Sequence, residues 1–171
     1  MGQKQRRLMI MWHAKSTWSS DVATDHERPL NKRGRRDAPR VGKRLAKLGW
    51  VPECVVSSDS RRTQETWERM QKHFPEGCVT FTRALYAGGL TELRTEVARL
   101  SAAVRTVLIL GHNPGCEEAV KALSGREVRI TTANVVLLKG EGATWAEALR
   151  HGPWRVAGVV RPKELRRPAV L

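Results

Sequence analysis

Apolar and polar positions alternate in blocks along this chain, and the period of the blocks changes. Leu8-Met9-Ile10-Met11 is an unbroken apolar run between charged segments, the pattern of a strand covered on both faces. A polar loop follows, over about 15–28, and the period then becomes three and four. Ala38, Val41, Leu45 and Leu48 share one face of a helix predicted over 32–48, with Asn31 as its N-cap and Gly49 as its stop. Cys54-Val55-Val56 reads as a second strand, 63–73 as a helix and Val79-Thr80-Phe81 as a third strand. A helix is predicted over 91–104, capped by Thr91, with Leu93, Val97, Leu100 and Val104 in register. Val107-Leu108-Ile109-Leu110 is a fourth strand, and 114–123 a helix with Pro114 near its first turn.

Strand and helix in alternation imply a largely parallel sheet covered on both faces. Two further strands, 135–138 and 155–160, have no convincing helix between them, so the pattern is expected to break at a sheet edge. No repeat, low-complexity tract or long linker divides the 171 residues, which suits a single domain over 1–171.

Composition narrows the picture only in part. With 40% hydrophobic residues, wholesale disorder is excluded. Lys+Arg number 31 and Asp+Glu 17, a net charge of +14 that attracts anions without choosing among them. Much of the excess sits near the termini (Lys4, Arg6, Arg7; Arg161, Lys163, Arg166, Arg167) and in Lys32-Arg33-Gly34-Arg35-Arg36. The simpler reading is a solvated basic surface. Nucleic acid ranks last as a partner, because no aromatic-and-basic reader motif accompanies the charge. Cys54, Cys78 and Cys116 fit no zinc spacing and read as reduced thiols in a cytoplasm. No apolar stretch is long enough to span a membrane or to serve as a signal-peptide core, and Met1-Gly2 is only a weak myristoylation signal.

The chemistry concentrates where strands should end. Met11-Trp12-His13-Ala14-Lys15 follows the first strand, and Gly111-His112-Asn113-Pro114-Gly115 follows the fourth. Sites in open α/β sheets lie beyond the carboxyl ends of strands, so two imidazoles there can share one phosphoryl group. His13 is the candidate nucleophile and His112 a donor to the developing charge. Ser57 to Trp67 follows a strand and opens a helix, an anion-binding location; Arg62 suits a bidentate phosphate grip and Ser58 an orienting, N-capping or phosphate-binding role. Arg28, in Asp25-His26-Glu27-Arg28-Pro29-Leu30, is a second phosphate ligand, with Asp25 as its orienter or as a proton donor. His26, Glu27 and Arg61 read as solvated, and Trp50, Trp67, Trp145 and Trp154 as packing residues; Trp18 follows the His13 motif and could differ.

These motifs, in this order, resemble the histidine phosphatase superfamily, and most of all its short bacterial phosphohistidine phosphatase branch. The resemblance runs from Leu8 to Leu165. It implies a three-layer α/β/α sandwich with a mostly parallel central sheet, a phospho-His13 intermediate, no metal and no cofactor. His112, Arg62 and Arg28 would surround the phosphoryl group. The implied substrate is a phosphorylated protein or a small phosphate ester, with no membrane partner. The family motif reads Arg-His where this chain has Trp12-His13, so a charged donor is replaced by one neutral N–H. Lys15, Arg28 or Arg62 could compensate, and Trp12 could stack on an aromatic ligand. The alternative is a catalytically impaired relative that binds phospho-ligands as a regulatory module. No general acid is obvious either: Glu92, in the short insertion after Tyr86, fits a helix first turn better.

Overall fold

The computed structural model describes residues 4–18 and 21–165. Six strands form one sheet: β1 (Gln5–Trp12), β2 (Cys54–Ser58), β3 (Cys78–Thr82), β4 (Thr106–Gly111), β5 (Val135–Glu141) and β6 (Arg155–Val160), in the spatial order β3-β2-β4-β1-β5-β6. The first four in that order are parallel; β5 runs antiparallel to β1, and β6 antiparallel to β5. The expected break in the parallel pattern therefore lies at the β5–β6 edge.

Period-two alternation on the central strands feeds two cores. Leu8, Ile10, Val107, Ile109 and Val136 face one side, and Met9, Met11, Leu108, Leu110 and Val135 the other. The second side is covered by α1 (Lys32–Lys47) and α2 (Arg61–Met70), which bury Val41, Leu45 and Met70. The first is covered by α4 (Leu90–Ala98), α5 (Gly115–Ser124) and α6 (Trp145–His151), which bury Val97, Val120 and Trp145. Helices on both faces of a mostly parallel sheet make the expected three layers. Two four-residue helices, α3 (Ala84–Ala87) and α7 (Pro162–Leu165), and two 3-10 turns, Asp25–Glu27 and Gln71–His73, complete the elements among the described residues.

Local caps hold as the sequence implies in some places and differ in others. Asn31 Oδ1 accepts the Gly34 N–H at 2.9 Å, and Gly49 ends α1 at φ +78°. The helix predicted over 91–104 stops at Ala98, and its N-cap is Gly89 rather than Thr91. Arg6 is fully buried and not the surface charge its place near the terminus suggests. Its guanidinium collects the carbonyls of Ala102, Val104, Gly142 and Ala143, and the Trp145 indole also bonds Val104. The helix between β5 and β6 was invisible because α6 is only 7 residues long; Thr144 caps it. Trp50, Trp67, Trp145 and Trp154 are buried, and Trp18 is exposed.

The cysteine expectation is overturned. Cys54 and Cys78 form a disulfide, and Cys116 alone is a free, buried thiol. Parallel pairing of β2 with β3 sets Cys54 opposite Cys78, with Cα atoms 4.5 Å apart. A sequence separation of 24 residues gives no hint of that register. The argument from thiols to a reducing compartment falls with it. No helix among the described residues is long and apolar enough to cross a membrane. Met1-Gly2, Arg166 and Arg167 lie outside the described residues.

Candidate active site

Sheet register assembles the site. β1 and β4 are parallel neighbours with Trp12 opposite Gly111, so the residues just beyond them, His13 and His112, must lie side by side. Their ring centroids are 5.2 Å apart. The chain leaves β1 toward α1 on one face and β4 toward α5 on the other, so a crevice opens between the two strand ends. β2 flanks β4 on its other side and delivers Ser58 behind His112. The resulting cavity, of about 430 Å³, is lined by both histidines, Arg28, Arg62, Asp25, Trp12, Lys15, Tyr86 and their neighbours.

His13 is buried, and both its ring nitrogens are assigned by contact. Nδ1 lies 2.6 Å from the Ala14 carbonyl, which can only accept, so Nδ1 carries the proton. Nε2 therefore holds a lone pair, and Arg62 Nε donates to it at 3.2 Å. The strand end is pinned by His13 N–H to Gly111 and by the Ala133 N–H to the carbonyls of Trp12 and His13. Ala133 adopts φ +62° to make that contact. On the second histidine, Nε2 lies 2.8 Å from Ser58 Oγ, and Nδ1 lies 3.5 Å from Arg62 Nη2. Ser58 Oγ also accepts the Ser60 N–H, while Ser60 is the N-cap of α2. Ser58 thus stands behind His112, fully buried and off the cavity wall; the capping duty belongs to Ser60. Asn113 braces the second motif by donating to Ile130 and accepting from Glu117.

Asp25 organises the arginines. Its carboxylate accepts from Arg28 at 2.7 Å and from Arg62 at 3.0 Å, its carbonyl accepts again from Arg62, and the Tyr86 hydroxyl donates to it. The Tyr86 bond, followed by the two guanidinium bonds, holds the Asp25 carboxyl well below the usual carboxylate range. A carboxylate so held is ionised at neutral pH and has no proton to give, which leaves the orienting role and removes the donor role. Arg28 is fixed further by Thr17 and Ser16 and lies 3.4 Å from the ring of Trp18. Glu92 accepts the Gly89 N–H at the head of α4, the first-turn place expected of it. Arg61 is exposed beside Glu65. His26 is not simply solvated: it pairs with Asp59 at 2.7 Å and packs against Tyr86.

Tyr86 and Ser16 are the site residues that the sequence did not announce. Tyr86 sits on the four-residue helix α3, too short to show a period, and Ser16 lies past the end of β1, in an isolated bridge to Leu30.

Comparison with known proteins follows the same motifs. A family model, histidine phosphatase superfamily (branch 1), matches residues 8–86. An uncharacterised chloroplastic protein of Arabidopsis thaliana is 38% identical over 170 residues, 92% of this chain and 78% of that one. The chain belongs to the histidine phosphatase superfamily. A solved structure described as a candidate phosphohistidine phosphatase SixA from Nakamurella multipartitia matches with a TM-score of 0.83 at 28% identity, covering 93% of this chain and 97% of that one. The protein histidine phosphatase SixA complexed with tungstate shares the fold at a TM-score of 0.79 and 19% identity, over 94% of this chain and 99% of that one.

Within this histidine phosphatase pocket both imidazoles are held neutral. Burial pushes His13 down to about 3 against the opposing bond to Ala14, with His112, Arg62 and Arg28 adding to the fall. Burial, then Arg62, pushes His112 down to about 4. Unfolded, each titrates near 6.5. Below that value the unfolded chain takes up protons that the native pocket refuses. Stability is therefore full above about pH 6.5 and falls as the pH drops toward 4, by up to about 1.4 kcal/mol per pH unit for each histidine. Thermal melts across this window should show a steadily falling Tm, and His112→Asn should flatten the slope. A Tm that stays level across the window in the parent protein contradicts two neutral imidazoles.

Proposed function

We propose that this chain is a phosphatase that hydrolyses phosphohistidine, or small phosphomonoesters, through a phosphoryl group carried on His13. The observation that supports this most directly is the His13 ring itself: Nδ1–H is spent on Ala14, so Nε2 presents a lone pair to a cavity that holds two arginines. Nε2 attacks phosphorus while the bond from phosphorus to the leaving group breaks. Water then attacks phosphorus, the P–Nε2 bond breaks, inorganic phosphate leaves and neutral His13 is restored.

Arg62 has one N–H group beyond its four bonds in the site, and Arg28 has two beyond its three. Those donors meet the phosphoryl oxygens. Arg62 Nη2 can only donate, so Nδ1 of His112 holds a lone pair and its Nε2–H donates to Ser58 Oγ. His112 donates to the phosphoryl group by taking up a proton at Nδ1 as charge builds. Ser58 acts by setting that tautomer, and Asp25 by aligning both guanidinium groups. The substrate preference follows from the leaving group. An alkoxide needs a proton as it departs, and the one carboxyl on the cavity wall is ionised. Imidazole leaves neutral when its far nitrogen is protonated, so phosphohistidine needs no acid from the pocket.

The test is to trap the intermediate. Rapid quenching in alkali after mixing with labelled phosphohistidine or p-nitrophenyl phosphate, with EDTA present, should show label on His13 that acid removes and alkali spares. Turnover with no label on His13, or turnover that EDTA stops, overturns the mechanism.

A further inference from the structure

One helix face carries an unrelieved row of positive charge. Lys32, Arg33, Arg36, Arg40, Lys43, Arg44 and Lys47 of α1 are all exposed. At about 100° per residue these cations fall within an arc of about 120°. The opposite side of the helix, Gly34, Ala38, Val41 and Leu45, is buried. The single carboxylate of α1, Asp37, is buried and paired with Arg33 at 3.5 Å, so none faces solvent from this helix. Lys32–Arg36, Arg36–Arg40, Arg40–Arg44 and Lys43–Lys47 are like charges at i, i+4, a spacing that destabilises a helix. Surface helices ordinarily relieve such rows with glutamate; this one does not.

The row starts at the pocket. Asn31 N–H donates to the Lys15 carbonyl at 3.0 Å, and Lys15 lines the cavity. Gly34 lies so close to the same carbonyl that a Cβ would stand 2.1 Å from it. From there the 16 residues of α1 carry the cations about 24 Å away from the phosphoryl site. A small ester held by His13 and Arg62 cannot reach that far. Only a ligand much larger than a small ester can touch both the cavity and the row.

We propose that this face of α1 docks the acidic surface of a phosphorylated protein whose phosphoryl group enters the His13 pocket. The proposal rests on the phosphatase reading above. Charge complementarity selects an acidic partner, and α1 contains no aromatic residue on which nucleic-acid bases would stack. The docking acts on encounter rate and KM, through a field that salt screens.

Two synthetic peptides test it on the full chain. Both carry the same phosphohistidine; one is flanked by Asp and Glu, the other by Ser and Gly. The acidic peptide should have a kcat/KM about tenfold higher, a preference that added salt erases. The combined variant Arg36→Glu, Arg40→Glu, Lys43→Glu should lose that preference yet turn over p-nitrophenyl phosphate as the parent does. Equal kcat/KM for the two peptides, or a preference that survives in the variant, overturns the docking face and leaves the phosphatase reading intact. Fluorescence anisotropy with the unphosphorylated acidic peptide separates the two ideas. Binding that the variant loses, with no hydrolysis of any substrate, supports the acidic-polypeptide face and overturns the phosphatase reading. A single-stranded oligonucleotide that binds the same face more tightly than the acidic peptide overturns the choice of partner.

Discussion

His13→Ala is expected to abolish turnover, by a factor of at least about 10⁴, while the fold survives. The size of the loss follows from the role. Removing a nucleophile takes away the covalent route itself, whereas removing a donor only weakens the transition state that the route passes through. The fold should survive because what His13 contributes to it is mostly backbone. Its N–H bonds Gly111 and its carbonyl accepts from Ala133, and alanine keeps both. The lost ring leaves Arg62 Nε without its acceptor and a small void beside a buried guanidinium, so a modest drop in Tm accompanies the loss. Free imidazole offers a control that a structural role cannot mimic. Added to His13→Ala, it can enter the emptied space and accept the phosphoryl group, restoring a small, concentration-dependent turnover. His112→Ala should cost less than His13→Ala, because it deletes a donor and spares the nucleophile. Parent-like hydrolysis by folded His13→Ala would sink the phospho-His13 mechanism.

Much of the site was legible because strand ends are legible. The runs 8–11 and 107–110 fix two strands, the residue types after them fix two turns, and parallel pairing then brings His13 to His112. Arg62 and Arg28 followed from their places near helix starts. What the sequence hid depends on distance in space with no local signature. Tyr86 reaches Asp25 from a helix of 4 residues, and its role is visible only once β3 and α3 are placed. Ser58 reads from the sequence as orienting, N-capping or phosphate-binding; β2 sets it one layer behind the pocket, where it bonds His112, which fits the orienting role alone. Asp25 carried two possible roles until its three side-chain donors were known, and those donors remove its proton. The disulfide and the buried Arg6 are the same lesson in the fold. Both arise from register and burial between segments far apart in sequence, and both contradict what composition alone suggests.

Trp12→Arg is expected to raise kcat/KM for a phosphomonoester on the order of a hundredfold, the inverse of deleting a charged donor from a preorganised pocket. Trp12 ends β1 opposite Gly111, half-buried, with its body packed on the apolar core and its side on the cavity wall. It brings one neutral N–H to a place where the family motif brings a charged fork. The substitution gives up some apolar burial, about 1–2 kcal/mol of stability, which a melt will show separately from activity. How the gain divides decides between two views of the parent protein. A rise in kcat with little change in inorganic phosphate affinity means that the parent pocket binds phosphoryl groups but stabilises their transition state poorly. That result favours the impaired relative, a phospho-ligand-binding or regulatory module. A parent that already turns over phosphohistidine quickly, and gains nothing from arginine, means that Arg28, Arg62 and Lys15 supply enough charge. The indole would then serve as a flat wall for a planar leaving group. The two substrates separate these views in one experiment. An indole that stacks on imidazole should make Trp12→Arg slower on phosphohistidine and leave its rate on an alkyl phosphate unchanged, whereas a merely missing charge should make it faster on both.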